Sequence, residues 1–147
     1  MIDAAKIAEA LKSQLTSNVY MVQNGVKINR GEYVNMDPDL TPWVSIYRDS
    51  IDYVPERMGK HTKSFTASIV FKLLIQESNL DTGEKCEDQL EALTQAVLDA
   101  VWADPKLGGN VDMLTAIDVN YSYNEHDSKT IYFQWSIVSL TFKVATG

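Results

Sequence analysis

The stretch TIYFQWSIVSLTFKVA, residues 130–145, carries more apolar bulk than one face of a β-strand can hide. In an extended chain Ile131, Phe133, Trp135 and Ile137 share one side, whereas Val138, Leu140, Phe142 and Val144 share the other. A bulge near Val138 would restore the phase and gather all eight on one side. Alternatively, Val138, Leu140 and Phe142 are covered by a neighbouring subunit, or by an internal element that the sequence does not reveal. Full burial of these three contributes roughly 1.5–3 kcal/mol each, enough to matter at an assembly interface, which makes them the candidate subunit-contact residues.

The rest of the chain supplies a partner layer for such a strand. Ile2, Ile7, Ala8, Leu11 and Leu15 recur at helical spacing behind Asp3, a capping residue. NVYMVQNG reads as a strand over Val19–Gln23, with Asn24-Gly25 opening a hairpin toward VKIN. The prolines and turn formers of residues 32–42 predict an irregular loop. Alternation returns at residues 43–54 and is strongest in FTASIVFKLLIQES, residues 65–78; between them PERMGKHTK predicts an exposed loop or hairpin tip. From Thr82 or Asp81, a possible cap, the period lengthens to that of a helix, with a stripe of Cys86, Leu90, Leu93, Val97 and Val101 widened by Leu98 and Trp102 and stopped at Asp104-Pro105. Ile117, Val119, Tyr121 and Tyr123 then alternate with polar residues as a half-buried strand, and NEHDSK closes a hairpin into the last one. This order predicts a single α+β domain: a mostly antiparallel sheet with an N-terminal helix and a long helix packed on one face.

Chemistry is sparse. His61 and His126 stand alone in polar segments, without the neighbours a zinc site needs. Asp37 and Asp39 lack the regular spacing of a calcium loop, and turn chemistry explains them. Glu84, Glu87, Asp88 and Glu91 read as a solvated helix face, and lone Cys86 as a small core residue. No nucleophile motif or phosphate cradle is present, so no catalytic residue, metal or cofactor is expected. Twenty acids against thirteen bases give a formal charge of -7, the wrong sign for gripping phosphates. No apolar run approaches the roughly 20 residues that span a bilayer, and the start has no signal-peptide pattern, so a soluble chain with no membrane partner is expected. Two further readings stay open: a small-molecule enzyme or binding domain with a pocket lined by Tyr121, Tyr123, Trp135 and Asp118, and a single-strand nucleic-acid surface using the same aromatics.

The layout as a whole, with the long helix ending VWADPKLGGNVD, the strand LTAIDVNYSY and the aromatic closing strand, resembles the tail terminator and tail-completion proteins of long-tailed bacteriophages. The resemblance runs through nearly the whole chain and is most telling at Asp104, Pro105, Leu107, Gly108, Gly109 and Val111. It implies a non-enzymatic virion protein, assembled in the host cytoplasm, whose hexameric ring ends the tail tube on the head-proximal side. Its partners would be other copies, the tube protein and the head-tail connector, with DNA sliding through the channel without specific binding. A connector or another minor tail protein is the neighbouring assignment. In this setting the contact candidates are the loops at 35–41 and 56–63, with Asp37, Asp39, Arg57, Lys60, His61 and Lys63.

Overall fold

Asp3 accepts the backbone N–H of Lys6 and so opens the first helix, α1 (Ala4–Thr16), whose Ala4, Ile7, Ala8, Leu11 and Leu15 are buried. A second helix, α2 (Val19–Gln23), stands where alternation predicted a strand. The Asn18 side chain caps it through the N–H groups of Tyr20 and Met21, and only Met21 is buried. One helical turn capped by asparagine satisfies this segment's backbone locally, so no strand partner is needed. The computed structural model describes residues 2–31, 35, 37–55, 64–123 and 131–146.

Five strands follow: β1 (Lys27–Arg30), β2 (Trp43–Pro55), β3 (Phe65–Asn79), β4 (Met113–Tyr123) and β5 (Tyr132–Thr146), with the long helix α3 (Gly83–Ala103) between β3 and β4. They form one sheet in the order β1-β2-β3-β5-β4, antiparallel except for β1 against β2. The Asn24-Gly25 turn therefore does not open a hairpin. A parallel pair needs a crossover of about a dozen residues, and the stretch between Arg30 and Trp43 supplies it. Part of that crossover, the 3₁₀ turn Pro38–Leu40 and Asn35, is tied to the end of β3: the Gln76 side chain donates to Asn35 O and accepts from Asn35 N–H, while the Ser78 hydroxyl donates to Pro38 O.

α1 lies over β1 and β2, and α3 over β3 and β5, all on one face of the sheet. The α+β architecture with helices on one side is thus present. Thr82 caps α3 by accepting from Lys85 N–H, and Asp104 begins the return: its carboxylate accepts Gly108 N–H, while Leu107, Gly108 and Gly109 take positive φ of 50°, 67° and 88°. Of these three consecutive positive-φ positions the last two are glycines, and the turn brings Leu107 and Val111, both buried, into the core.

The register settles the two-sided strand. β3 and β5 pair without interruption from Phe65–Thr146 to Asn79–Tyr132, so there is no bulge near Val138. The irregularities fall elsewhere, at Asp49 in β2 and Thr115 in β4. Val138, Leu140 and Phe142 face the helices and are fully buried within one copy, beside Leu73, Phe71 and Ile69. They are core residues, and the proposed role in subunit contact is corrected: α1 and α3 supply the cover that was sought from another copy. What one copy leaves uncovered is the other set, Phe133, Trp135 and Ile137, which are only half-buried.

Candidate assembly surfaces

Three surfaces stand out, and each follows from the one-sided layering. On the face without helices, Phe133 and Trp135 meet edge to face at 6.1 Å between ring centres, with Ile137 next along the strand and Leu74 opposite it. At the β1 side of this face Trp43 Nε1, Ser45 Oγ and Asn29 Nδ2 are buried without a hydrogen-bond partner among the described residues. The half-buried aromatics are what a neighbour could still cover, whereas the three polar atoms are already shielded within the copy.

The second surface is the β4 side. α3 reaches β3 and β5, so the helix-facing residues of β4 are left at the margin: Ile117 is 40% and Tyr121 51% exposed. Trp102, expected to widen the buried stripe of α3, is 65% exposed instead. It falls on the flank of α3 that looks past the core, together with Glu87 and Glu91. Glu87, Leu90, Glu91, Tyr121, Ser122 and Gln134 line a depression of about 200 Å³ there.

The third is the far end of the β2–β3 hairpin, where Tyr53 packs edge-on against Phe65 and Val54 is 57% exposed. Arg57, Lys60, His61 and Lys63, named above as contact candidates, lie outside the described residues, as does His126. Asp37 and Asp39 are exposed, but Asp37 uses its carboxylate to cap the 3₁₀ turn through Asp39 N–H. Asn35 donates to Asp37 O and accepts Asp37 N–H, and Thr41 shares a hydrogen bond with Ser78. The 35–41 segment is thus pinned to the sheet and presents a fixed shape.

The remaining chemistry is internal. Glu77 is 7% exposed, and burial raises its carboxyl to about pKa 7, against a lowering contribution from the Ser78 N–H. Burial, then the Glu77 charge, pushes the Cys86 thiol up to about 11; its Sγ donates to Glu77 O and Tyr132 O, both at 3.5 Å. Burial and the same carboxylate raise Tyr20. Sequence reasoning missed Glu77, since nothing in QESN distinguishes a buried glutamate from a wet one. Tyr121 lies on the helix side of the sheet and Trp135 and Asp118 on the other, so they line no common pocket. Among the described residues no group of His, Cys, Asp or Glu is arranged to hold a metal, and no helix is long and apolar enough to cross a membrane.

No protein family matches the chain by its sequence, and neither does any curated protein. Among solved structures, a chain from the virion of a native gene transfer agent particle superposes with a TM-score of 0.50 and 11% identity, over 95% of this chain and 94% of that one. At that identity the likeness establishes a shared fold, from end to end of both chains.

Proposed function

We propose that this chain is a structural subunit of a phage-type virion, acting as one domain that closes into a ring on the head-proximal end of a tail tube. There it ends tube polymerisation and offers the surface that joins the head connector. The observation that carries the reading is the likeness through 95% of the chain to a component of a gene transfer agent virion, together with the sequence resemblance to tail terminators. The exposed surfaces support it: a sheet with helices on one side only, and apolar residues at the uncovered part of its other face, its β4 margin and its hairpin end. A cap works through interfaces, so function rests on shape and self-association and calls for no catalytic residue. Net negative charge suits a channel through which DNA slides without lingering.

Native mass spectrometry and negative-stain microscopy of the chain mixed with polymerising tube protein test this. The expected result is a closed ring, six-membered as in the resemblance, on one end of tubes that have stopped growing. A chain that stays monomeric, beside tubes that elongate as if it were absent, would refute the reading.

A further inference from the structure

Both margins of the sheet end in strand whose outer side has no partner among the described residues. β4 is one margin: its eleven residues, Met113–Tyr123, pair with β5 alone. Past the irregularity at Thr115 it carries a single charge, Asp118, and no lysine, arginine or proline, the devices with which edge strands repel further pairing. The other margin is stepped. β1 covers β2 only over residues 43–46, and the bond from Gly31 N–H to Ile46 O is its last rung. Over residues 48–55 no described strand pairs with that side of β2. Where β1 stops, a notch of about 180 Å³ opens, lined by Ala8, Arg30, Ile46, Arg48 and Phe71. Arg30 is bridged to Glu9 at 2.5 Å, whereas Arg48 is exposed and has no acidic partner among the described residues.

The two margins are complementary. Three antiparallel steps separate β2 from β4, so a second copy that continues the sheet with its helices on the same face sets its β2 antiparallel to β4. Side chains alternate, so helix-facing residues must oppose helix-facing ones. On β4 these are Ile117, Val119 and Tyr121, beside buried Leu140, Val138 and Ser136; on β2 they are Ile51 and Tyr53, beside buried Ile69 and Ala67. The register that sets Tyr121 against Ile51 and Val119 against Tyr53 also pairs Asn120 with Asp52, and it ends β4 at Arg48, just past the end of β1. A slip of two residues toward β1 opposes Asp118 to Asp52 and runs β4 into Gly31. Glu87 and Glu91 stand exposed beside Tyr121 on the flank of α3, without a cation among the described residues, so the same register brings them to Arg48 and its notch.

We propose that copies of this chain join edge to edge, β4 of one against residues 48–55 of the next copy's β2, with Glu87 and Glu91 facing Arg48. The proposal gives the ring its subunit contact and rests on that reading for self-association. Each copy offers one margin and takes the other, the head-to-tail arrangement from which rings close. Ile117 and Tyr121, 40% and 51% exposed in one copy, then lie against Pro55 and Ile51 of the next.

Cross-linking and charge exchange test it. Asp52→Cys and Asn120→Cys chains, altered at exposed positions, are mixed in equal amounts and mildly oxidised. Linked pairs of one of each are expected in clear excess over both kinds of like pair together, the native Cys86 being buried. Mixed pairs no more abundant than like pairs overturn the contact. Arg48→Glu, and separately Glu87→Lys with Glu91→Lys, are each expected to weaken self-association in sedimentation about tenfold or more once circular dichroism shows them folded, and their equimolar mixture to recover it. Failure of that recovery, or variants that associate like the unaltered chain, overturns the edge pairing; rings that the unaltered chain still closes on tubes then leave the ring reading standing on another contact. Mixed pairs in excess from a chain whose unaltered form never closes a ring with tube protein support the edge pairing and refute the ring.

Discussion

Glu77 sits on the helix-facing side of β3, close enough to Tyr20 and Cys86 for its charge to act on both. Its carboxyl titrates near 7 in the folded chain against an ordinary value of 4.5, because burial penalises the charged form. The folded state therefore holds the proton more tightly than the unfolded one. The resulting stabilisation is full below about pH 4.5 and is lost as pH rises through 7. Glu77→Gln, which is neutral throughout, is expected to be more stable than the parent at pH 8 by about 3 kcal/mol, and to show a flatter profile in urea titrations between pH 4 and 8. Parallel profiles for the two chains would contradict this. Cys86, fully buried with its thiol pushed up to about 11, is expected to resist a thiol reagent at pH 8 until the chain unfolds. Rapid labelling of the native chain would show that the site opens. Phe142 packs at 65° and 6.3 Å against Phe71, and Phe142→Ala is expected to cost the isolated chain about 3–5 kcal/mol. Were it a contact residue, the same change would leave monomer unfolding nearly untouched and act on assembly alone, so a denaturant titration at low concentration separates the two roles.

At the scale of elements, the sequence was most legible where a period ran long. α3, β3 and β5 stand where their repeats put them, because 21 or 15 residues of consistent spacing outweigh local accidents. α2 was misread since five residues fit either period, and the deciding feature was the Asn18 side chain reaching two N–H groups. The apolar bulk of β5 was visible, but which of its two sides met helices was not: that depends on how β3 and β5 register and on where α1 and α3 come to lie. Trp102 and Tyr121 share that cause. Both have the right spacing for burial, and both fall beyond the width that one helix covers. The tie between helices was likewise invisible, because it joins residues nearly ninety apart in sequence: Gln14 Nε2 donates to the carbonyls of Ala100, Val101 and Asp104 at 2.8, 3.2 and 3.0 Å. Ala100 and Val101 belong to the last turn of α3 and Asp104, whose carbonyl also accepts Leu107 N–H, is its C-cap, so Gln14→Ala is expected to lower stability by about 1–2 kcal/mol. An unchanged urea midpoint would mean that water replaces the amide without loss.

For the whole molecule, two kinds of surface compete to drive assembly, and salt tells them apart. The sheet face with Phe133, Trp135 and Ile137 is apolar where it is uncovered, whereas the α3–β4 depression carries Glu87 and Glu91 at its rim within a chain of net charge -7. Self-repulsion among like-charged copies is screened as salt rises, and so is attraction between that acidic rim and a cationic surface; the Debye length falls from about 10 Å at 0.1 M to about 3 Å at 1 M. Burial of aromatics is not screened, and sulfate strengthens it. If the acidic rim sets the contact, association measured by sedimentation is expected to weaken about tenfold between 0.05 and 1 M sodium chloride, and Trp135→Ala is expected to leave that slope unchanged. If the bare face dominates, the trend reverses: salt tightens association by screening the net charge, and Trp135→Ala abolishes it at every salt concentration. A slope of the first kind together with loss on Trp135→Ala would assign the two surfaces to different steps, the groove to copy-on-copy contact and the bare face to whatever the finished ring sits upon.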